Sequence, residues 1–167
     1  MTPLDPDQFW EFSLAFYNRE SVAAACLSLQ DRRGADVNIL LLCCWLATLE
    51  MKLGDAGLRA ANDAVAQWRL DVLDPLRAVR RTVDSDWGAP SKAERKAIKT
   101  GILGIELDCE RAAQGLILAA VSENAEFHEG SVPRGLASAS LETYLDMLIG
   151  GPEEQDAADL AALLEPL

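Results

Sequence analysis

The chain has 167 residues, of which half are hydrophobic and only 6% are aromatic. This length is typical of one domain, and the apolar half is enough to bury a sizeable core. The formal net charge of -12 repels nucleic acid and anionic membranes on average, so neither is expected as a general partner. Alanine and leucine are abundant and β-branched residues are sparse, which favours an all-α fold.

The N-terminal sequence MTPLDPDQ is acidic and lacks the basic and apolar regions of a secretory signal, so we expect a cytoplasmic protein. The cysteines lie in apolar sequence that is predicted to be helical, and no CxxC pair is present. We therefore expect reduced thiols in the core rather than disulfides or a metal site. The four are Cys26, Cys43, Cys44 and Cys109.

Two helices are predicted before residue 35. Asp5 followed by Pro6 is typical of a helix start, and the aromatic residues that follow give the first helix a broad apolar face. The second helix carries apolar residues at spacings of three and four from Val22 to Leu29. We expect it to end at Gly34, because glycine readily adopts the left-handed conformation that stops a helix.

The segment 36–53 is predicted to be the central buried helix. Asp36 can cap it, and the run from Ile39 to Ala47 is apolar on every side. The run is shorter than the roughly 20 apolar residues that a bilayer requires, so we interpret it as a core helix and expect no membrane span. We predict one compact bundle of about six to eight helices around it.

A helix from Leu58 to Val72 should be interrupted at Asp74-Pro75, because proline removes an amide donor and clashes with the preceding turn. Asp74 can cap a second short helix, which gives two helices rather than one. Residues 87–90 are typical of a connector, and the motif from Ser91 to Glu94 is a capping box that opens the next helix.

The longest periodic segment is 91–121, where an apolar stripe predicts a helix of roughly 45 Å. Its members are Ile98, Ile102, Ile105, Cys109, Ala112, Leu116 and Ala119. Three glycines, Gly101, Gly104 and Gly115, each cost about 1 kcal/mol in a helix. They indicate either close helix contacts or an interruption near Gly101, and the sequence leaves both open.

After a loop at 122–135, one more helix is predicted over 136–149, with a stop at Gly150-Gly151-Pro152. We therefore divide the chain into a helical domain, 1–150, and an acidic tail, 151–167. The tail contains a short amphipathic helix with Leu160, Leu163 and Leu164 on one side. Because so short a helix needs a surface to dock on, it packs on its own core or on another chain. A homo-oligomer is one possibility.

Known catalytic and phosphate-binding motifs are absent, and His128 is the only histidine, in a loop-like stretch. Glu50, Glu106 and Glu110 lie on otherwise apolar helices, but a di-metal centre characteristically uses Glu-x-x-His, and Ala125 stands three positions before His128. We expect surface ion pairing instead, with Glu110 near Arg111. We therefore predict no catalytic residue, no metal and no cofactor.

The first candidate site is a basic region in an otherwise acidic chain. Residues 69–99 carry a net charge of about +3, whereas residues 100–167 carry about -11. The region could bind a protein partner or an anion through Arg77, Arg80, Arg81, Lys92, Arg95, Lys96 and Lys99. The alternatives are a solvated face and pairing with the acidic C-terminal third.

The second candidate site is a polar pocket beside the turn between the second and third helices. Asp36 is needed there as a cap, whereas the other polar residues are free to line a pocket. The proposed lining consists of Gln30, Asp31, Asn38, Trp45 and Arg69, with Arg77 as an alternative to Arg69.

Several motifs resemble those of one protein family. They are Phe9-Trp10-x-Phe12-Ser13-Leu14, Ala25-Cys26-Leu27-x-Leu29-Gln30-Asp31 and Asp36-Val37-Asn38-Ile39-Leu40-Leu41, and then Trp68-Arg69, Pro75-Leu76-Arg77 and Arg80-Arg81. The family is a bacterial one of small all-helical proteins, catalogued as a domain of unknown function. The resemblance implies a compact cytoplasmic bacterial domain, and it transfers no catalytic residue.

The function expected from these features is a non-catalytic protein-interaction or adaptor module. It would present the basic region or the apolar side of the tail to a protein partner, because the chain combines charge asymmetry with a lack of catalytic motifs. The alternative is a small-molecule-binding protein or enzyme that uses the polar pocket. Nucleic-acid binding is unlikely, since it would have to overcome the net negative charge.

Overall fold

The computed structural model describes residues 4–85, 90–148, 150 and 153–167. Its fold is all-α, as predicted, with one small two-stranded sheet. The α-helices are α1 Pro6–Tyr17, α2 Glu20–Arg33, α3 Val37–Thr48, α4 Asp55–Trp68, α5 Asp74–Asp84, α6 Lys92–Val121, α7 Pro133–Met147 and α8 Asp156–Leu164. A π-helix, Arg69–Leu73, joins α4 to α5, and the strands are β1 Met51–Leu53 and β2 Ala125–Phe127.

Most predicted helix ends are found where their capping residues stand. The Asp5 carboxylate accepts hydrogen bonds from the first backbone N–H groups of α1. Gly34 ends α2 with a φ of 67°, and the Ser91–Glu94 capping box opens α6. Most of the predicted connector, residues 87–89, and the predicted stop at 151–152 lie outside the described residues.

The central element of the bundle is α3. Every residue from Asn38 to Ala47 is buried, and the helix packs against α7 and α1 as its main neighbours. Its apolar character on all sides therefore reflects contact on all sides, as predicted.

The predicted extent of this helix, to residue 53, is wrong. The helix ends at Thr48, Glu50 turns the chain with a φ of 57°, and β1 then pairs antiparallel with β2. Met51 and Leu53 are buried on either side of a half-buried Lys52, which is the period-two pattern of a strand. Three residues are too few for this pattern to be recognised, and the partner strand lies in the predicted loop 122–135.

Pro75 interrupts the α-helical pattern as expected, but the chain does not leave the helical conformation. The α-helical bonding changes to a π-helix just before Asp74. Asp74 has helical backbone angles and is the first residue of α5, so it is not the predicted N-cap of that helix. Changes in helix geometry usually occur at a proline or at a π-helical turn, and here the two lie next to each other.

The helix α6 runs for 30 residues without interruption, so the expected break near Gly101 does not occur. An added Cβ at Gly101, Gly104 or Gly115 would meet nothing within 4 Å, so close helix contacts do not explain these glycines either. The apolar stripe does not form the buried face, because Ile98, Ile105 and Leu116 are exposed. The buried residues are Glu106, Ala113, Gln114, Ile117, Leu118 and Val121.

The C-terminal tail docks on its own chain. Leu163 and Leu164 are buried in the core, and α8 packs against α2 and α7. Arg32 forms ion pairs with Glu153, Asp156 and Asp159, and the fully buried Arg33 side chain pairs with Asp156. The apolar side of the tail is therefore covered by the bundle.

No helix in the described part of the chain is both long enough and apolar enough to cross a membrane.

Candidate functional site

A cavity of about 550 Å³ opens between α1, α2, α3, α5 and α6. Its lining includes apolar side chains that are partly exposed, namely Trp10, Leu14, Leu27 and Leu107. The rest of the lining is mostly polar, and Ser13 and Gln114 are its most buried polar residues. The cavity therefore joins a surface that an apolar group can cover to polar groups that can orient it.

The polar part is a continuous chain of hydrogen bonds that links four elements. Arg77 Nη2 lies 2.5 Å from Glu110 Oε1, and Asn38 Nδ2 donates to the other Glu110 oxygen at 2.6 Å. Gln114 Nε2 donates to Asn38 Oδ1 at 3.1 Å and to Ser13 Oγ at 2.9 Å. Each side chain holds its neighbour in one orientation, so this part of the cavity is preorganised.

Gln114 leaves one polar atom without a partner. The residue lines the cavity and is only 2% exposed, yet its Oε1 accepts no hydrogen bond from the described residues. Exchanging the oxygen and nitrogen of the Gln114 amide would not satisfy it. Asn38 Nδ2 donates to Glu110, so Asn38 turns its oxygen toward Gln114, and the exchange would bring two acceptor oxygens together. A buried acceptor therefore stays unpaired beside the cavity.

A second pair of charges lies along the same wall. Arg80 Nε donates to Glu106 Oε1 at 2.8 Å, and Glu106 is buried. Arg77 also contacts Asp74, its neighbour on α5, at 3.3 Å. Arg77 and Arg80 are thus turned toward carboxylates of their own chain.

Burial perturbs two acidic groups of this cavity. It raises the pKa of Glu110 above the usual carboxyl value, and Arg77 acts in the opposite direction. It also raises the pKa of Tyr17, and Cys26 and Glu110 add to this effect. The protein thus places charged and ionisable groups where water is partly excluded.

A smaller cavity of about 270 Å³ adjoins the first. The two share Gln30, Val37, Arg77 and Arg81 in their linings. In the smaller one, Arg69 Nη1 lies 2.9 Å from Asp36 Oδ2.

The structure divides the basic region that the sequence predicts. Arg77, Arg80 and Arg81 line the larger cavity, whereas Lys92, Arg95, Lys96 and Lys99 lie on the first turns of α6, outside it. Lys99 pairs with Asp84 at 2.7 Å, and Arg95 donates to the Pro90 carbonyl oxygen. The seven residues therefore do not form one surface of unpaired cations.

Three of the residues predicted for the polar pocket do lie together, because Gln30, Asp31 and Asn38 line the larger cavity. The prediction is wrong for Trp45. That side chain is buried in the core, where its ring stacks on Phe9 with 5.0 Å between the ring centroids. Arg69 lines the smaller cavity instead. A tryptophan in an all-round apolar helix is core by default, and this could have been inferred from the sequence.

The predicted ion pairs of α6 are wrong in their partners and their burial. Glu110 pairs with Arg77 rather than with its neighbour Arg111, which instead contacts Asp7 on α1 at 2.6 Å. Glu106 pairs as expected, but in a buried position rather than on the surface.

Sequence reasoning missed Ser13, Tyr17, Gln114 and the role of Glu106 in the lining. In the sequence these residues look like ordinary polar residues on the exposed face of a helix, because the sequences of α1 and α6 do not show which face packs inward. The polar residues of α6 at 106, 110 and 114 share one face at four-residue spacing, and this was the available signal.

Metal and thiol sites receive no support from the described residues. No group of three or more histidine, cysteine, aspartate or glutamate side chains there is placed to hold a metal ion. All four cysteines are free thiols, and three of them are buried.

Comparison with known proteins places the cavity within a family. The family model described as "Protein of unknown function (DUF2390)" matches residues 8–117, a range that contains every residue that lines the larger cavity. Neither a curated protein nor a solved structure matches the chain significantly. Because the match covers well over half of the chain, the protein belongs to this family of unknown function.

Proposed function

We propose that this chain is a small-molecule-binding protein whose ligand occupies the cavity between α1, α2, α3, α5 and α6. The observation that carries the proposal is the composition of this cavity, in which the apolar side chains of Trp10, Leu14 and Leu27 line the same space as charged and polar groups. An apolar pocket with a few fixed polar groups is the usual form of a small-molecule site.

The size and composition of the cavity support the same proposal. Its volume of about 550 Å³ lies within the range of roughly 300–1,000 Å³ that is common for small-molecule sites. Its polar groups are held by one another through Arg77, Glu110 and Asn38, so little further ordering is needed when a ligand binds.

The compartment proposed is a reducing one such as the cytoplasm. Four unpaired cysteines support it, because secreted domains of this size usually use such residues in disulfides.

The experiment is a ligand-observed NMR screen of a small-molecule fragment library, repeated with a variant that fills the cavity mouth. Leu107 lines the cavity and is 48% exposed, so Leu107→Trp should obstruct it without disturbing the core. Leu103 lies one turn earlier on α6 with 44% exposure and does not line the cavity, so Leu103→Trp is the matched control.

Compounds that bind the natural chain should bind Leu103→Trp equally and lose binding to Leu107→Trp. The proposal would be contradicted if no compound in the library bound the natural chain and lost that binding in Leu107→Trp.

The interaction module expected from the sequence remains a second proposal, with a smaller surface. Arg81, Lys92 and Lys96 are exposed and form no ion pair with the described residues, and they are the cations left to contact a partner. Reversing all three charges should remove a partner recovered by crosslinking from the native cell, with helical circular dichroism unchanged. Full recovery of that partner would argue against this surface.

A further inference from the structure

The apolar stripe of α6 follows a heptad spacing that the fold leaves unused. Its seven residues, from Ile98 to Ala119, are separated by four, three, four, three, four and three positions, which is the repeat of a helix that packs along another helix. The large side chains of Ile98, Ile105 and Leu116 are 46%, 53% and 42% exposed. Ala112 and Ala119 are exposed as well. The described part of the chain therefore leaves most of this stripe uncovered.

The two edges of the stripe differ. Along one edge, Ile102 and Cys109 are half-buried, and Trp68 Nε1 of α4 donates to the Cys109 carbonyl oxygen at 3.1 Å. Along the other edge lie Gly101 and Gly115, where an added Cβ would meet nothing within 4 Å. No contact within the described residues explains these two glycines. A second helix, however, can approach an edge without side chains more closely than one that carries them.

The dimensions of α6 are sufficient for a specific contact. The helix has 30 residues and is therefore about 45 Å long and roughly 10–12 Å wide. Two such helices that pair side by side cover about 500 Å² on each copy, or roughly 1,000 Å² in total. This area is at the lower limit of specific interfaces and is typical of weak, reversible association.

The sizes of the side chains favour a second copy in antiparallel orientation. The first half of the stripe contains three isoleucines, and the second half contains one leucine among smaller residues. In a parallel pair, Ala112 would face Ala112 of the second copy and leave a gap. In an antiparallel pair centred near position 107, Ile102 faces Ala112 of the second copy and Ile98 faces its Leu116. Large and small side chains then fill the contact evenly.

The charges at the two ends of α6 support the same orientation. Lys92 and Lys96 on its first turns are exposed and form no ion pair with the described residues. Glu123 and Glu129, which follow its last turn, are exposed and likewise form no ion pair within the described part of the chain. In an antiparallel pair, the lysines of one copy lie near the glutamates of the other, and the opposite charges attract. A parallel pair would bring like charges together.

We propose that α6 pairs in antiparallel orientation with α6 of a second copy of this chain, along the apolar stripe. The contact uses a different face of α6 from the larger cavity, to which this helix contributes Glu106, Leu107, Glu110 and Gln114. The dimer is therefore independent of the proposed small-molecule site, and either can hold without the other.

The test is sedimentation velocity of the full chain over a range of concentrations through the micromolar region. The natural chain should change reversibly from monomer to dimer as the concentration rises. Ile105→Lys should raise the dissociation constant of the dimer about tenfold or more, because each dimer would then bury two unpaired ammonium groups. Ile105 is exposed within one copy, so the monomer of this variant should keep its helical circular dichroism.

The matched control is Leu103→Lys. Leu103 lies two residues earlier on the same helix with 44% exposure, and two residues correspond to about 200° around a helix, so it points away from the stripe. This variant should dimerise like the natural chain. A dimer that Ile105→Lys weakens no more than Leu103→Lys does would overturn the proposal. A natural chain that stays monomeric at every concentration would overturn it too, because a second copy would then not cover the stripe.

Disulfide crosslinking between two differently substituted chains tests the orientation. One chain carries Ile98→Cys and the other Leu116→Cys, and both carry Cys109→Ser because the other three natural cysteines are buried. Mild oxidation of the mixture should join the two different chains, since Ile98 faces Leu116 in the antiparallel pair. Crosslinks between identical chains alone would identify a parallel pair, and a lack of crosslinks would place the contact elsewhere. Either result would overturn the antiparallel dimer.

Discussion

The hydroxyl oxygen of Tyr144 accepts a hydrogen bond from the backbone N–H of Asp36 at 2.9 Å, and both residues are buried. Asp36 caps the central helix α3 and pairs with Arg69 in the smaller cavity. Through this contact α7, which lies beyond the matched range 8–117, positions the residue where α3 begins.

The first prediction concerns this hydrogen bond. Tyr144→Phe leaves the buried Asp36 N–H without an acceptor, so it should lower the free energy of unfolding by about 1–3 kcal/mol. Tyr17→Phe is the control, since Tyr17 is only partly buried at the cavity. Urea denaturation measures the free energy of unfolding of both variants. If Tyr144→Phe lowered it as little as Tyr17→Phe does, the Tyr144 hydroxyl would contribute little to stability.

The second prediction concerns the attachment of α8. The Arg33 side chain is fully buried and pairs with Asp156, and its other hydrogen bond goes to the Leu145 carbonyl oxygen. Asp156→Ala leaves the guanidinium buried without a counter-charge, which should cost about 3–5 kcal/mol.

The matched control for α8 is Glu153→Ala. Glu153 pairs with Arg32 but is 45% exposed, so its removal should cost less than about 1 kcal/mol. Urea denaturation and limited proteolysis of the C-terminus report on both variants. Similar stability of the two would contradict the buried pair as the main attachment.

The third prediction concerns the buried face of α6. Ile117 is fully buried and its neighbour Leu116 is 42% exposed. Ile117→Ala should lower the free energy of unfolding by about 2–5 kcal/mol through loss of burial and a residual cavity. Leu116→Ala should change it by roughly 0.5 kcal/mol or less. The reverse order would mean that the apolar stripe seen in the sequence is the buried face.

The fourth prediction concerns thiol reactivity. Burial raises the pKa of Cys43 to about 12, and burial together with Asp159 does the same for Cys26. Since the thiolate is the reactive form, iodoacetamide at neutral pH should modify these thiols only as fast as the protein unfolds.

Cys109 is partly exposed and should react first, although burial and nearby carboxylates raise its pKa as well. Mass spectrometry locates the modified residue. Cys109→Ser should remove the labelling that occurs in the folded state, and rapid labelling of Cys43 would contradict its burial.

The fifth prediction concerns alkaline pH. Burial keeps Cys43 a neutral thiol in the folded state, whereas in the unfolded chain the pKa of this thiol lies near its ordinary value of 9.0. The contribution of this thiol to stability is fully present below pH 9 and is lost as the pH rises through about 12, the pKa of Cys43 in the folded state. It is lost because the unfolded state binds fewer protons than the folded state over that range.

Melting temperatures of the natural chain should therefore fall steeply above pH 9. Burial also raises the pKa of Cys26 and Tyr144, so both groups add to this fall. Cys43→Ala should show a shallower fall over the same range. Parallel curves would show that this thiol ionises equally in both states.

The sequence predicts elements that depend on local chemistry. The cap of α1 at Asp5 and the left-handed end of α2 at Gly34 follow from single side chains acting on the adjacent backbone. The central helix is evident because a run that is apolar on all sides has to be buried. The candidate residues Gln30, Asp31 and Asn38 could be named because they were polar beyond what capping requires.

What the sequence by itself determined is thus the fold class, most helix ends and the identity of the central helix, since these depend on propensity, capping and overall hydrophobicity. Only the tertiary structure decided which face of α6 is buried, that residues 51–53 pair with Ala125–Phe127, and that Arg77 meets Glu110. These outcomes depend on which distant elements come into contact, and Gln114 lines the cavity only because α1, α3 and α6 enclose it.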